Sequence, residues 1–303
     1  MPFTIIQNKN KNESEQKKGE FSYLAESPKW TLEEVALSKQ TLDKIDEMIA
    51  YINNRDKLLY EWEFNRFLKT GSALSVNFFG KPGTGKSITA EAIAQKMGMS
   101  IMKANYGELE SALVGETSDH LVSVFQTAEA NKSLLFFDEA DAILSKRISN
   151  LSQAADYGVN TAKSTLLTLL DKFNGVIIFA TNLFDNYDEA FLRRILFNIE
   201  FLPPDFEMRK KLWQFHLSEK VPREISYSDL ATFSEGLCGG DIKNLTISLG
   251  LKLLTGRVAT IDESLVKEEI ERSREVKAKH NTKVVITDIS ENTFEQNTDI
   301  LEE

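Results

Sequence analysis

One cysteine, Cys238, stands in the 303 residues of the chain, which excludes an intramolecular disulfide framework and fits a reducing compartment. No apolar run approaches the roughly 20 residues needed to span a bilayer. The opening MPFTIIQNKNKN has no basic segment followed by an apolar core of signal-peptide length. These absences predict a cytoplasmic protein with no membrane partner. Positive charge is also short: 36 Lys and Arg stand against 46 Asp and Glu, for a net charge of −10. That balance disfavours nonspecific binding to nucleic acid or to an anionic membrane surface. No protease or metal signature is found. What remains is ordinary globular material, since 42% apolar content suffices for a packed core and the length suits one large or two modest domains.

One stretch organises the rest. Gly80-Lys81-Pro82-Gly83-Thr84-Gly85-Lys86-Ser87 follows the apolar run Leu74–Phe79 and opens into Ile88–Met97, which contains Ala90, Ala92, Ile93 and Ala94. Strand, glycine loop and helix are the context in which G-x-x-x-x-G-K-[ST] becomes a physical site. The glycines let backbone N–H groups converge on an anion, and the helix N-terminus adds its partial positive charge. Lys86 is placed to meet β- and γ-phosphates, and the Ser87 hydroxyl to hold a magnesium ion. A glycine turn that merely ends a strand is the plain alternative, and the flanking elements argue against it.

Before the loop, residues Gln7–Glu20 are polar and mixed in charge, and are expected to be disordered. Leu42, Ile45, Met48, Ile49 and Ile52 recur at helical steps and predict one amphipathic helix. After the loop, Ile101-Met102 reads as a short strand and Thr117–Ala130 as a helix with Leu121, Val124 and Phe125 on one face. The buried strand Leu134–Phe137 runs into Asp138-Glu139, and α/β sheets place ligands at such strand ends. Asp138 there can hold magnesium through water, and Glu139 can polarise a water that attacks the γ-phosphate. A solvated acidic turn is the alternative for that pair alone.

Leu144–Asn160 reads as a loop with a short helix, followed by a helix over Thr161–Phe173. A further strand, Val176–Phe179, leads to Ala180-Thr181-Asn182, where Asn182 can orient the attacking water or simply begin a turn. Ile199–Leu202 is the last apolar stretch before Pro203-Pro204. Strands alternating with helices predict an α/β fold with a three-layer parallel sheet. Beyond the prolines the period is helical, over Phe206–Ser218, Tyr227–Ser234 and Asp241–Leu254. The expected division is a leader at 1–27, a nucleotide-binding α/β domain at 28–204, a small all-helical lid domain at 205–280 and an acidic flexible tail at 281–303.

The ordered set of phosphate loop, FFDEAD, IFATN, the double arginine Arg193-Arg194 and the GGD helix start resembles the AAA family of the P-loop ATPases, from about Trp30 to about Lys279. The segment DEAFLRR, the apolar strand and PPD look like bacterial members of the Cdc48 and SpoVK type. The resemblance implies an AAA+ core with a helical lid that binds ATP and magnesium and assembles as a ring, usually a hexamer. It also implies ATP hydrolysis coupled to remodelling or threading of a protein substrate; the partner, a protein substrate or an adaptor, is not identified by the sequence.

Residue by residue, the resemblance puts Lys86 and Ser87 in Walker A, with Gly80, Lys81, Pro82, Gly83, Thr84, Gly85 and Ile88 around the nucleotide. Asp138 and Glu139 become Walker B, with Asp138 and Ser87 on the metal and Glu139 catalytic; Asn182 becomes sensor 1. Val35 and Ala36 fall where relatives line the adenine pocket, although the usual glycine is absent. His216 matches a lid histidine near the nucleotide, or is a polar residue on a helix face, and Gly240 begins the lid helix on the phosphate side. Arg194, with Arg193 beside it, matches the arginine finger that reaches a neighbour's γ-phosphate. An ordinary surface pair is the alternative. Ile195-Leu196-Phe197-Asn198 stands where many relatives carry GRFD. Ala112-Leu113-Val114-Gly115-Glu116 matches the first central-pore loop, with aliphatic Leu113 where an aromatic is common, and Ala155-Asp156-Tyr157-Gly158 stands where related bacterial proteins tend to have an arginine.

Two other functions fit the same motifs. One is a slow nucleotide-dependent switch or scaffold that recruits a partner through its tails. The other is a DNA-associated loader, against which the charge of −10 counts.

Overall fold

The computed structural model describes residues 24–66, 73–105, 117–146, 154–182 and 187–278, the side chains of 154–156 apart. The elements in chain order are α1 Lys39–Asn53, β1 Leu74–Phe79, α2 Lys86–Lys96, β2 Ile101–Asn105, α3 Thr117–Asn131 and β3 Leu134–Asp138. The one-turn α4 Asp141–Leu144, α5 Ala154–Lys172, β4 Val176–Thr181, the one-turn α6 Glu189–Leu192 and β5 Phe197–Glu200 follow. A helical region then comprises α7 Phe206–His216, α8 Tyr227–Phe233, α9 Gly239–Leu254 and α10 at 263–278.

All five strands are parallel, in the order β2-β3-β4-β1-β5. Side chains of a strand point alternately to opposite faces, so a sheet buried on both sides needs apolar residues in both registers. The apolar runs meet that need. Val76, Phe78, Phe136 and Ile178 pack on one face with Ile45, Met48 and Ile93 of α1 and α2. Leu135, Phe137, Ile177 and Phe179 pack on the other with Leu121 and Val124 of α3 and Leu166 and Leu170 of α5. This is the expected α/β sandwich of three layers, and each large side chain so buried contributes about 1.5–3 kcal/mol.

A third cluster is drawn from the helical region, with Trp213, Leu230, Ile242, Leu249 and Ile261 among its buried members. Trp213 is fully buried and donates its indole N–H to Ser234 Oγ at 2.9 Å, so no donor is orphaned. Pro203-Pro204 ends the strand region, and the Asp205 carboxylate caps α7 by accepting from Met208 N at 2.8 Å. Arg209, largely buried, donates to the carbonyls of Pro204 and Ala231, both at 2.9 Å. It thereby pins α7 to the entry segment and to α8.

Several boundaries differ from the sequence expectation: β2 runs on to Asn105 and β4 to Thr181 as their ladders continue, and three other shifts have a specific cause. The last strand is Phe197–Glu200 rather than Ile199–Leu202, because it pairs with β1 only as far as Phe79↔Glu200, where Gly80 diverts its partner. Helix α5 begins at Ala154 instead of Thr161. Packing of Ala162, Leu166 and Leu170 extends it through Gly158, whose intrinsic helix cost is only about 1 kcal/mol. Helix α9 starts at Gly239, two residues early, with the Asp241 carboxylate accepting from Cys238 N at 2.9 Å. The pore-loop match at 112–116, most of the leader and the tail lie outside the described residues.

Candidate functional site

Because β4 lies between β1 and β3, the C-terminal ends of these three strands stand side by side. The glycine loop leaves β1, Asp138-Glu139 leave β3, and Asn182 leaves β4. This is the edge at which open α/β sheets bind ligands. Gly80 turns the chain off β1 at φ +142°, and a Cβ there would collide with the Phe201 carbonyl oxygen. Gly85 sits at φ +99° and delivers the chain into α2, a conformation that side chains resist.

Lys86 is the first residue of α2 and its side chain lies back across the loop. Nζ donates to Gly80 O at 2.6 Å, to Lys81 O at 3.2 Å and to Asn182 Oδ1 at 3.0 Å. Burial pushes its pKa down, and the charges of Asp138 and Asp141 push it part of the way back. Among the described residues Lys86 makes no ion pair. A largely buried ammonium held by neutral oxygens still has its charge to spend on an anion.

Ser87 Oγ donates to Asp138 Oδ2 at 2.9 Å, while Asp138 Oδ1 accepts from Glu139 N at 3.0 Å. Asn182 N donates to Asp141 Oδ1 at 3.0 Å, which fixes the asparagine beside the lysine. The hydroxyl of Ser87 and the carboxylate of Asp138 are hard oxygen donors, the type that magnesium takes while keeping waters and phosphate oxygens as its other ligands. The donor set therefore fits that ion, and no cluster of three or more His, Cys, Asp or Glu among the described residues suggests a separate cage.

Glu139 has φ +52°, uncommon for any residue with a side chain. Its Oε2 accepts from Asn105 Nδ2 at 3.2 Å. Asn105 was absent from the sequence-predicted site. It ends β2 directly opposite Asp138 in the ladder, a register that only the folded sheet reveals.

These groups form the polar end of a cavity of about 520 Å³. Pro82, Gly83, Thr84, Gly85, Lys86 and Ser87 line it with Asp138, Glu139 and Asn182. Gly80 and Lys81 stand behind, contributing carbonyls to Lys86. Apolar Val35, Ala36 and Ile88 of the α/β region and Met208 and Leu212 of α7 complete the lining, together with Glu34 and His216. Gly240 also lines the cavity, its N–H donating to Gly83 O at 3.3 Å. Half-buried His216 has its pKa pushed down by burial and by the charge of Lys243. Trp30, Phe215 and Lys243 also line the cavity and were not expected from sequence.

The two arginines lie elsewhere. Arg194 grips Asp171 with two hydrogen bonds of 2.8 Å and donates to Ala190 O at 3.0 Å. That fork holds the Asp171 carboxyl below the usual carboxylate range. Arg193 pairs with Glu189 at 3.3 Å on the exposed side of α6. Neither lines the cavity of its own chain.

A glycine loop joining strand to helix, with an acid pair and an asparagine at neighbouring strand ends, defines a P-loop nucleotide-binding fold. Residues 76–203 match the ATPase family associated with various cellular activities (AAA), and the domain they form belongs to it. The chain is 29% identical over 246 residues to the 26S proteasome regulatory subunit 7 homolog B of Arabidopsis thaliana, covering 78% of this chain and 52% of that protein. It is 32% identical over 214 residues to the proteasome-activating nucleotidase of Sulfurisphaera tokodaii, covering 68% and 54% respectively. Similarity to the ATP-dependent zinc metalloprotease FtsH 1 of Petrotoga mobilis is 28% over 263 residues, covering 84% of this chain and 39% of the relative. The chain spans about half the length of the curated relatives it matches, so the likeness bears on the ATPase part of each.

Proposed function

We propose that this chain binds Mg-ATP in the cavity and hydrolyses it to ADP and phosphate. The observation that carries the proposal is Lys86, a largely buried ammonium held by Gly80, Lys81 and Asn182 without an ion-pair partner among the described residues. The loop amides and Lys86 would bind the β- and γ-phosphates, and Ser87 with Asp138 would hold the magnesium ion. When bound, that ion neutralises charge on the phosphate oxygens. Asn182 touches Lys86 and would orient a water for in-line attack. Glu139 would take its proton. The test is release of inorganic phosphate from Mg-ATP by the purified full chain; no release under any nucleotide or salt condition would reject the hydrolytic part.

Ring assembly, a hexamer by analogy, extends this proposal. The support is the AAA family match, the proteasomal relatives, and the place of Arg194 outside its own cavity, where a neighbour can be served. Arg194→Ala should lose turnover while keeping its own nucleotide affinity. Mixing it with Glu139→Gln subunits should restore part of the activity, because each supplies what the other lacks; no recovery at any ratio would contradict shared sites. A protein partner, substrate or adaptor, is a further expectation.

One observation favours the second reading, a slow switch. Glu139 is tied to Asn105, and Arg194 to Asp171, so both groups needed for turnover are engaged elsewhere. Asn105→Ala should then raise basal phosphate release several-fold, whereas an unchanged or lower rate would mean that the contact does not restrain Glu139.

A further inference from the structure

A row of buried polar groups crosses the sheet one residue before Asn182 and has no part in the reading above. Asn77 of β1 and Thr181 of β4 are fully buried, and Tyr187 is nearly so. Tyr187 and Thr181 share a hydrogen bond between their hydroxyls, and Thr181 Oγ1 donates to Asn77 Oδ1 at 3.3 Å. Asn77 Nδ2 in turn donates at 3.4 Å to Oδ1 of Asn198, its ladder partner on β5. Since Thr181 donates onward, Tyr187 donates to it, and burial pushes the phenol pKa up, so that proton stays in place at neutral pH. Phenylalanine at 187 and valine at 181 would fill nearly the same space with nothing polar to satisfy. Packing alone does not call for the row.

What the row holds is the peptide between Thr181 and Asn182. On one side Asp141, the first residue of α4, accepts from Asn182 N with both carboxylate oxygens, at 3.0 and 3.3 Å. On the other, Tyr187 binds the Thr181 side chain, and its own backbone is fastened to the far end of the same helix. Ser145 and Tyr187 form an antiparallel bridge, and Asp188 N donates to Leu144 O at 2.9 Å. Helix α4 thus reaches the asparagine twice, through Asp141 and through Tyr187, and closes a ring of contacts around the end of β4. We propose that Tyr187 is a positioning residue for hydrolysis: acting through Thr181, its hydroxyl fixes the end of β4 so that Asn182 stays beside Lys86 Nζ and presents its amide to the attacking water. The inference rests on the nucleotide reading above and adds to it a group that does not line the cavity. Its effect belongs to the chemical step, because in-line attack tolerates little displacement of the water, whereas the loop amides and Lys86 hold the phosphates without it.

The test measures phosphate release and Mg-ATP affinity in the full chain. Tyr187→Phe removes one hydroxyl of the pair, and Thr181→Val removes the other while keeping the shape. Each should lower kcat by about tenfold, a fraction of the roughly hundredfold that a displacement of about 1 Å can cost. Affinity for Mg-ATP by calorimetry should be unchanged, and Thr181→Ser, which keeps the hydroxyl, should retain most of the rate. A residue that only supported the fold would lower the melting temperature and leave kcat per folded chain as it was. Wild-type kcat in Tyr187→Phe would overturn the proposal, as would ATP affinity falling in step with the rate, or Thr181→Ser losing as much as Thr181→Val. Tyr187→Phe carries the test even where Thr181→Val lowers the yield of folded protein. A wild-type chain that binds Mg-ATP and releases no phosphate would reject hydrolysis and this role together; one that hydrolyses, with variants as fast as itself, would reject this role alone.

Discussion

Glu139→Gln should bind Mg-ATP as tightly as the wild-type chain and lose turnover by about 10²–10⁴-fold, the range that a positioned general base supplies. The substitution keeps shape and removes the ability to accept a proton. Glutamine can still accept from Asn105 Nδ2 through its amide oxygen, so the side chain has the same anchor. The left-handed backbone at this position is set by the strand end and the following turn, with Ala140 N donating to Ala180 O at 2.9 Å, and the change does not touch it. Binding and chemistry are therefore expected to separate, the first followed by calorimetry and the second by phosphate release. Turnover near the wild-type rate would remove Glu139 from the mechanism.

Lys86→Ala should abolish the binding itself. The ammonium makes three hydrogen bonds to neutral oxygens and has no anion of its own among the described residues. A phosphate arriving there gains a charge-assisted bond in a site shielded from water, worth about 1.5–3 kcal/mol before the long-range attraction is counted. Losing it should cost at least about 10²-fold in affinity for ATP and for tripolyphosphate alike. Thermal unfolding separates this from misfolding. Mg-ATP should raise the melting temperature of the wild-type chain and leave that of the variant where it was, since only a ligand that binds the folded state stabilises it. An equal rise in both proteins would place the phosphates somewhere else.

The parts of the site that could be read from sequence are those encoded locally. The glycine loop, the acid pair and Asn182 each follow a buried apolar strand, and a run such as Leu74–Phe79 bounded by glycine has its limits written into it. What joins them is not local. Asn105 acquires its partner through the register of β2 against β3, and no property of the tetrapeptide around it distinguishes that end from any other strand end. Trp30 and Phe215 meet only because α7 lies over the cavity, and their sequence surroundings read as a polar approach segment and a helix face. The strand placed at Ile199–Leu202 began two residues earlier for a related reason. Apolar content marks the stretch, but where pairing stops is decided by Gly80 on the partner strand. Residues 144–160 are poor in apolar side chains and so read as a loop with a short helix, yet α5 begins at Ala154 because the packing of Ala162, Leu166 and Leu170 carries the helix back through them.

The sequence position of Arg193 and Arg194 agrees with a finger reaching a neighbour, and their place outside the cavity is compatible with it. The fork to Asp171 shows only where Arg194 rests within one chain. Its service to a second chain is a matter for the mixing experiment.

The most direct measurement is the structure of the Glu139→Gln protein crystallised with Mg-ATP. The β- and γ-phosphates are expected along the loop from Gly80 to Ser87, in hydrogen-bond reach of Lys86 Nζ, with the magnesium ion at Ser87. A nucleotide bound outside this cavity, or one with its phosphates turned away from that loop, would contradict the account.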